Sequence, residues 1–333
     1  MKSARLHSFT QQLGDIRVEQ VALAEPGPGQ VRVRMRFSPI NPSDLNFVHG
    51  TYHSAPQRMI WNHQQEPVCY DPARRNVCPV PPYSLGGEGV GVVESCGGGF
   101  LARRLLGKRV AIASGPPAGC WQEFCIVDAK KAVAMPDDIP DQQAAMFFVN
   151  PLTAYVLIKE VLRVRAGQWV LISAAGSALG KSIVRMARRD GFRTICVVRS
   201  NSNSAELAAL GADAVIETDK QDLCGEVFRI TAGQGVQHAL DCIGGPLASE
   251  MVQCLGLNGQ LVIYGTLSGT PMQIPGRDLM MPVARISGFF LSNWLAQQSP
   301  LKLLGIIRAV KKLTREGLFH TEISEVFPLE RVV

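Results

Sequence analysis

A strand, a turn of small residues and a helix, followed by a second strand, constrain the fold more than any other part of the chain. Val170–Ile172 is apolar, the next residues are small, and a helical pattern begins near Leu179. The next apolar strand, Thr194–Val198, ends directly before Arg199. This order is typical of a dinucleotide site, in which the N-terminus of the helix faces the pyrophosphate.

The turn departs from the usual G-x-G-x-x-G pattern, whose glycines permit a tight turn, close pyrophosphate approach and helix–strand packing. Ala175 and Ser177 occupy the first two glycine positions, and Gly180 occupies the third. Arg199 stands where a carboxylate would bind a ribose 2′-hydroxyl. Because Arg attracts a 2′-phosphate that a carboxylate repels, the pattern predicts NADPH. The alternative is a ligand-free turn with a surface arginine.

The predicted cofactor-binding residues follow from this placement, because α/β sheets bind cofactors at the carboxyl ends of their strands. The Ser177 hydroxyl is expected to donate to a phosphate oxygen. A further strand, Leu261–Tyr264, is followed by Gly265-Thr266. The residues predicted from these strand ends are Ala175, Gly176, Ser177, Ala178, Leu179, Gly180, Arg199, Ser200, Tyr264, Gly265 and Thr266.

The chain changes character near residue 130. Before it, short β-type runs are separated by Gly and Pro, as in Val31–Phe37 and Arg109–Ala113. After Pro136, apolar strands such as Ala214–Glu217 alternate with helical stretches such as Ser204–Leu210. We therefore predict an α/β protein with a mostly antiparallel β domain over 1–130 and a doubly wound parallel sheet over 131–320. Residues 321–333 are a candidate return to the first domain.

Composition excludes several function classes. The chain has 333 residues, 46% hydrophobic and 19% charged, and no apolar stretch of membrane-spanning length. Its net charge of +6 comes from dispersed basic residues interleaved with apolar ones, so we predict no nucleic-acid partner. Nine cysteines without a CxxC pair argue against a disulfide framework. A reducing cytoplasm and no membrane association are therefore expected.

Several motifs resemble the medium-chain dehydrogenase/reductase superfamily, and in particular its zinc-independent quinone reductase and trans-2-enoyl-thioester reductase branch. The motifs are Pro39–Asn46, Gly50–Tyr52, Gly86–Val93, Asn150–Tyr155, the nucleotide turn and Ser287–Trp294. The resemblance implies a GroES-like β domain, a Rossmann domain and an active site in the cleft between them. It also implies a homodimer joined through the Rossmann sheets.

The resemblance also predicts whether the chain binds a catalytic zinc ion. The alcohol-dehydrogenase branch has a Cys where this chain has Pro42-Ser43-Asp44, and a His-Glu pair where it has Gly87-Glu88. A catalytic Zn²⁺ needs about three protein ligands, typically His, Cys or Glu, so we predict no metal. His63, Cys69 and Cys78 are too scattered to favour a metal over ordinary loop packing.

The resemblance implies hydride transfer from NADPH to the activated C=C of an α,β-unsaturated thioester or enone. Tyr52 matches a tyrosine that enoyl-thioester reductases use near the hydride, where a phenol can stabilise an enolate or relay a proton. Its alternative role is to close the turn with a half-buried ring. Asn41 and Asp44 are expected to position the nicotinamide or shape the turn. The remaining implied contacts are Asn150, Thr153, Phe290 and Leu291 for the cofactor and Trp294 for the acyl pocket.

Two other functions stay open at this point. Quinone reduction is the alternative enzyme activity, and a non-catalytic NADPH-binding protein is the alternative of another class. Two departures from the family also matter. Residues 57–82 form an insertion next to Tyr52 that is expected to border the cleft. Its alternative roles are to cap a small-molecule or carrier-linked substrate, to contact a carrier protein or to close the pocket. The chain also stops at Val333, where relatives continue with a helix and a strand.

Overall fold

The computed structural model describes residues 1–53 and 79–332. They form two compact units, one from Met1–Val149 with Glu322–Val333 and the other from Asn150–Thr321. The boundary expected at residue 130 falls inside the first unit, because β8 (Ala132–Ala134) pairs with β6 (Arg109–Ala113). The final residues belong to the first unit, where they form a 3-10 turn, Leu329–Arg331, and Glu330 pairs with Lys2.

The first unit is built from two antiparallel sheets. A five-stranded sheet has the order β7-β3-β5-β6-β8, and a three-stranded sheet has the order β2-β1-β4. The strands not yet given are β1 (Lys2–Leu6), β2 (Arg17–Gln20), β3 (Gln30–Phe37), β4 (Tyr83–Ser84), β5 (Glu88–Cys96) and β7 (Phe124–Asp128). The helices are α1 (Pro42–Val48), α2 (Phe100–Leu105) and α3 (Asp141–Ala145), with 3-10 turns at Leu13–Asp15 and Ala129–Lys131.

Alternation of apolar and polar residues explains the larger sheet. Val31 and Val33 of β3 are fully buried, whereas Arg32 and Arg34 between and beyond them face away. Successive side chains of a strand point to opposite faces, so one face carries the core and the other carries charge. The core against this sheet includes Val93 and Val110.

The second unit contains a parallel sheet of six strands in the order β11-β10-β9-β12-β13-β14. Counted from the first strand of this unit, the order is 3-2-1-4-5-6, which is the doubly wound arrangement of dinucleotide-binding folds. The strands are β9 (Trp169–Ile172), β10 (Arg193–Val198), β11 (Ala214–Glu217), β12 (Val236–Asp241), β13 (Leu255–Ile263) and β14 (Arg285–Gly288). The strand order reverses between β9 and β12, where Ala239 pairs with Leu171.

Helices precede, connect and follow these strands in the chain. They are α4 (Asn150–Tyr155), α5 (Ala178–Asp190), α6 (Ser204–Leu210), α7 (Leu223–Ile230), α8 (Gly245–Gln253), α9 (Gly276–Met280), α10 (Leu291–Ala296) and α11 (Pro300–Arg315). A π-helical turn, Val156–Val161, follows α4, and a 3-10 turn, Asn201–Asn203, precedes α6. Helix α5 begins at the Ser177 cap and ends at Gly191, whose φ of 76° suits glycine.

The predicted fold class, a mostly antiparallel β domain with a doubly wound parallel sheet, is confirmed. Ser204–Leu210 and the strand Ala214–Glu217 lie where the pattern placed them. Helix α7 and strand β14 were not predicted, and Trp294 lies inside α10. Among residues 1–53 and 79–332, no helix is long and apolar enough to cross a membrane.

We expect Gly180→Ala to destabilise the second unit, because a Cβ at Gly180 would lie 2.4 Å from the carbonyl oxygen of Ala175. Backbone cannot move aside as a flexible side chain can, so the loss in unfolding free energy should be about 1–3 kcal/mol. Gly305→Ala in α11 is the matched control, because a Cβ there would meet nothing within 4 Å. That variant should gain about 0.5–1 kcal/mol. Urea unfolding tests both, and equal stabilities would contradict the close approach.

Candidate functional site

The nucleotide turn is capped by the side chain of Ser177. Its Oγ accepts a hydrogen bond from the backbone N–H of Gly180 at 3.1 Å. The first N–H groups of α5, those of Ala178 and Leu179, have no acceptor within the helix and carry its positive dipole end. Ser177 is exposed, so its own O–H remains able to donate to an anion at this helix start.

Backbone geometry explains which small residues the turn requires. Gly180 lies against the carbonyl of Ala175, so helix and strand end approach too closely for any side chain. The left-handed residue of the turn is Ala174, with φ of 46°, a conformation that costs a non-glycine residue free energy. The N–H of Ala175 donates to the carbonyl of Val197 at 3.2 Å, which joins the turn to the end of β10.

Arg199 and Ser200 follow β10 directly beside this turn. Arg199 is exposed, and within the described part of the chain its guanidinium has no carboxylate partner. The next turn leads to Asn203, whose side chain lies where a Cβ on Gly176 would be, 2.5 Å from its Nδ2. Arg199 is therefore a cation available at the carboxyl end of the strand next to the helix N-terminus.

A buried hydrogen-bond network connects β9 and β12, the two strands between which the order of the sheet reverses. Ser173 Oγ donates to Asp241 Oδ1 at 2.6 Å and accepts from the N–H of Cys242 at 3.1 Å. Asp241, which is fully buried, also accepts from the N–H groups of Ile243 at 3.1 Å and Gly244 at 2.7 Å. The ends of β9 and β12 are thereby held together. Ser173 and Asp241 were not predicted, because neither belongs to the glycine pattern.

Tyr264, Gly265 and Thr266 follow β13 on the other side of this network. The N–H of Tyr264 donates to the carbonyl of Asp241 at 2.8 Å. Burial and the neighbouring Cys242 raise the pKa of the Tyr264 phenol well above its usual value, so the phenol stays protonated. Gly265 lies against Cys242, where a Cβ would be 2.8 Å from the Cys242 carbonyl oxygen. Thr266 is exposed.

In the first unit, Asn41 and Asp44 form a capping box at the start of α1. The Asn41 side chain caps the N–H of Asp44, and the Asp44 carboxylate accepts from the N–H of Asn41 at 2.8 Å. Each satisfies a backbone donor that the helix leaves without an acceptor. Burial raises the pKa of Asp44 to about 6. Asn41 and Asp44 therefore hold the backbone at the start of α1.

Glu88, at the start of β5, is a buried carboxylate that sequence analysis did not identify as a site residue. It accepts hydrogen bonds from Asn41 Nδ2 at 3.0 Å, from the N–H of Phe148 at 2.8 Å and from the N–H of Val149 at 3.0 Å. Burial raises its pKa to about 7, although these three donors act in the opposite direction. Burying a carboxylate is costly unless it is hydrogen-bonded. Here its bonds connect β5 to the start of α1 and to the segment at Phe148 and Val149.

Tyr52 follows a glycine turn, as the motif predicts. Gly50 has φ of 69° and accepts from the N–H of His53 at 3.0 Å. The Tyr52 ring is half-buried and meets the Phe47 ring edge-on, with centroids 5.0 Å apart. Residues 54–78, which include most of the 57–82 insertion, His63, Cys69 and Cys78, lie outside the described residues.

The remaining predicted contacts lie at helix starts of the second unit. Asn150 begins α4, and Thr153 is buried within it. Phe290 caps α10 and Leu291 is its first residue. Trp294 is half-buried in the same helix, with Lys302 Nζ 5.3 Å from its ring centroid. Hydrogen bonds therefore connect the turn to the end of β10, which precedes Arg199 and Ser200, and connect Ser173 through Asp241 to Tyr264. Helix α4 packs against α5, the helix that follows the turn.

The chemistry of the first-unit carboxylates does not fit zinc. Asp44 and Glu88 already accept from backbone or amide N–H groups, and their neighbour Asn41 is a poor zinc ligand. Within the two described ranges, no three His, Cys, Asp or Glu side chains come close enough to hold a metal ion. The absence of zinc stays a prediction, since His63, Cys69 and Cys78 of the insertion lie outside these ranges.

Comparison with known proteins now identifies the family. The alcohol dehydrogenase GroES-like domain matches residues 27–137 and the zinc-binding dehydrogenase domain matches residues 178–305. The mitochondrial enoyl-[acyl-carrier-protein] reductase of Xenopus tropicalis is 30% identical over 324 residues, 95% of this chain and 85% of that protein. This chain belongs to the medium-chain dehydrogenase/reductase superfamily, in its quinone oxidoreductase and enoyl reductase branch.

Two further relatives place this dehydrogenase/reductase within that branch. The enoyl-[acyl-carrier-protein] reductase of Dictyostelium discoideum is 30% identical over 301 residues, 89% of this chain and 79% of that protein. A crystal structure from Bacillus thuringiensis, provisionally named an NADPH:quinone reductase, is 32% identical. It covers 99% of this chain and 92% of its own, with a TM-score of 0.87. The resemblance inferred from the motifs is confirmed.

Glu88→Gln should change how stability depends on pH. Its folded pKa of about 7 exceeds the ordinary 4.5, so between these values the folded chain binds the extra proton. The stability that Glu88 contributes is therefore present below about pH 4.5 and falls as pH rises through about 7. The stability of the variant lacks this dependence on pH. The variant also loses hydrogen-bond acceptor capacity at residue 88, which should lower the free energy of unfolding by about 1–3 kcal/mol.

Urea unfolding at about pH 5 and pH 8 tests this expectation. The stability difference between wild type and Glu88→Gln should be smaller at the higher pH. Glu94→Gln is the control, because this exposed carboxylate on the same strand forms a surface ion pair with Arg32 at 3.3 Å. A difference that does not change with pH would contradict ionisation of buried Glu88 near neutrality.

Proposed function

We propose that this protein is an NADPH-dependent reductase that transfers hydride to an activated C=C bond. The observation that carries the cofactor assignment is Arg199, exposed directly after β10. The end of this strand is bonded to the nucleotide turn, because the carbonyl of Val197 accepts from the N–H of Ala175. A cation there attracts a ribose 2′-phosphate, and the helix N-terminus favours the pyrophosphate. The residues fit the cofactor because glycine is required at Gly180, where helix and strand come closest.

The substrate class we propose is an α,β-unsaturated thioester or enone. The Xenopus and Dictyostelium relatives are named for enoyl groups on an acyl carrier protein, and each is 30% identical to this chain. The donor set of Asp44 and Glu88 does not fit a zinc ion that would polarise a simple carbonyl. Hydride addition to a conjugated C=C needs no such metal, because the charge moves onto the carbonyl oxygen as an enolate.

We assign the reaction to the following residues. Bound NADPH supplies the hydride. The turn residues, Arg199 and Ser200 hold its phosphates, and Asn150 and Thr153 orient its nicotinamide with Tyr264–Thr266, Phe290 and Leu291. Tyr52 donates a hydrogen bond to the developing enolate or relays a proton to the α-carbon. Asn41 and Asp44 support Tyr52 by holding the start of α1, and Trp294 borders the acyl group.

Quinone reduction is the second candidate. The Bacillus thuringiensis relative, 32% identical over nearly the whole of both chains, is named for this activity. A quinone is also a conjugated carbonyl acceptor of hydride, so the same phenol can stabilise the oxyanion that forms. The third candidate, an NADPH-binding protein without activity, differs in making no use of Tyr52.

We also propose a homodimer that works in the cytoplasm. Strand β14 is an edge of the parallel sheet, and exposed apolar side chains precede it: Met280 and Met281, each 67% exposed, and Val283. An unpaired edge with apolar neighbours favours pairing with a second copy. The seven cysteines of the described residues are free thiols, which suits a reducing compartment.

Steady-state assays with NADPH separate these functions. We expect the largest kcat/KM with a trans-2-enoyl thioester, a lower value with a 2-alkenal and the lowest with a quinone. A quinone preference would favour the second candidate. NADPH binding without oxidation across all three substrate classes would favour the third candidate, and no NADPH binding would contradict the cofactor assignment as well.

Tyr52→Phe should lower kcat on the preferred substrate by about 10- to 1000-fold, the range for one catalytic donor. NADPH affinity should not change, because the phenol is not assigned to the cofactor. Tyr155→Phe is the control, since this half-buried tyrosine at the end of α4 has no assigned role. Full turnover in Tyr52→Phe, measured with the same substrate, would remove Tyr52 from the mechanism.

Arg199→Ala should weaken NADPH binding by about tenfold or more while NADH binding changes little, since a charged contact is worth about 1.5–3 kcal/mol. Arg193→Ala is the matched control. It is the exposed arginine at the opposite end of β10, where its guanidinium lies 5.2 Å from the Trp169 ring centroid. Fluorescence titration measures both cofactors. An equal loss for NADPH and NADH would show that Arg199 does not bind the 2′-phosphate.

A further inference from the structure

Two cysteine thiols of the second unit lie in contact. Cys224 is in the first turn of α7, and Cys254 directly follows α8 as its cap. Their Sγ atoms are 3.5 Å apart, although the residues are 30 positions apart in the chain. A disulfide requires about 2.05 Å, so the sulfurs need to approach by only about 1.5 Å, within reach of side-chain rotation.

The two thiols differ in access to solvent. Cys254 is fully buried, whereas Cys224 is only partly covered. The hydrogen bond between them lowers the pKa of Cys224, against the opposing effects of burial and of the carboxylates of Asp222, Glu250 and Asp278. The same hydrogen bond, with burial, raises the pKa of Cys254. An accessible thiol of lowered pKa beside a buried partner is the arrangement of redox-sensitive cysteine pairs.

The chain holds a second pair that provides a comparison. Cys120 and Cys125 interact through their thiols, but both are buried, with exposed fractions of 1% and 0%. An oxidant in solution reaches neither sulfur. Accessibility to solvent therefore distinguishes the two pairs.

We propose that Cys224 and Cys254 form a reversible disulfide when the protein meets a hydroperoxide, with Cys224 as the attacking thiol and Cys254 as the resolving thiol. The Cys224 thiolate attacks the terminal oxygen of the hydroperoxide, the O–O bond breaks, and Cys224 becomes a sulfenic acid. The Cys254 sulfur then attacks the Cys224 sulfur, and water leaves. With hydrogen peroxide, two thiols lose two electrons and two protons, and the peroxide becomes two waters.

The bond would leave the cofactor end of the sheet undisturbed. Cys254 directly precedes β13, and Tyr264 follows the other end of that nine-residue strand. The two ends of β13 pair with Val236 and Asp241 of β12, and five residues of extended strand span about 16 Å. NADPH affinity of the oxidised protein should therefore lie within twofold of the reduced protein. This modification does not rest on the proposed function, so its test uses the thiols themselves.

The experiment treats the full chain with a small excess of hydrogen peroxide in a background in which Cys69 and Cys78 are Ser. We expect loss of two thiols, a mass lower by about 2 Da, and a peptide containing the Cys224–Cys254 bond. Dithiothreitol should restore both thiols. Cys254→Ser should instead accumulate a Cys224 sulfenic acid that dimedone traps, and Cys224→Ser should leave Cys254 reduced.

Cys120→Ser is the control variant and should oxidise as the background protein does. A circular dichroism spectrum matching the background protein ensures that each variant is folded. The proposal fails if peroxide carries Cys224 to sulfinic acid without a disulfide, if the bond joins other cysteines, or if Cys224→Ser loses thiols at the same rate. Dimedone labelling of the Cys254→Ser variant distinguishes two causes of failure. No labelling means that Cys224 does not react with peroxide, whereas labelling without a disulfide in the background protein means that Cys254 does not reach Cys224.

Discussion

The close approach of helix α5 to the carbonyl of Ala175 is the contact on which the second unit's site depends. It is possible only because residue 180 is glycine. Once the helix starts there, its first N–H groups lie beside the end of β10, and Ala175 bonds to Val197. The positions of Ser177 and Arg199 follow from this geometry. Ser and Ala replace the first two glycines because Ser177 caps the helix and the left-handed position falls on Ala174.

Glu88 has a comparable organising role in the first unit. It bonds to Asn41, 47 residues away, and to Phe148 and Val149, 60 and 61 residues away. Such a carboxylate is costly to bury, and hydrogen bonds to it offset only part of that cost. What it provides is a fixed relation between the start of α1 and the segment that leads out of the unit. Asn41 therefore acts both as a helix cap and as a donor to this carboxylate.

Sequence alone predicted the elements whose periodicity was strong. The apolar strand at Val170, the helix after Ser177 and the pair Ser204–Leu210 and Ala214–Glu217 have patterns that local propensity and burial both favour. Helix α7 was missed although Leu223 and Val227 recur at helical spacing, because the helix has only eight residues and gives a short pattern. Glu88, Ser173 and Asp241 were missed because their importance lies in bonds to residues about 50 to 70 positions away, which no local pattern records.

The discontinuity of the first unit has a consequence for how the chain folds during synthesis. Residues 322–332 complete this unit, where Glu330 pairs with Lys2, yet they are made after the whole contiguous second unit. The second unit can therefore fold before the last segment of the first unit has been made. Because domains made early tend to fold first, the strand bearing Lys2 waits longest for its final neighbour. A ribosome-bound chain would keep one side of β1 uncovered until residues 322–332 have been made.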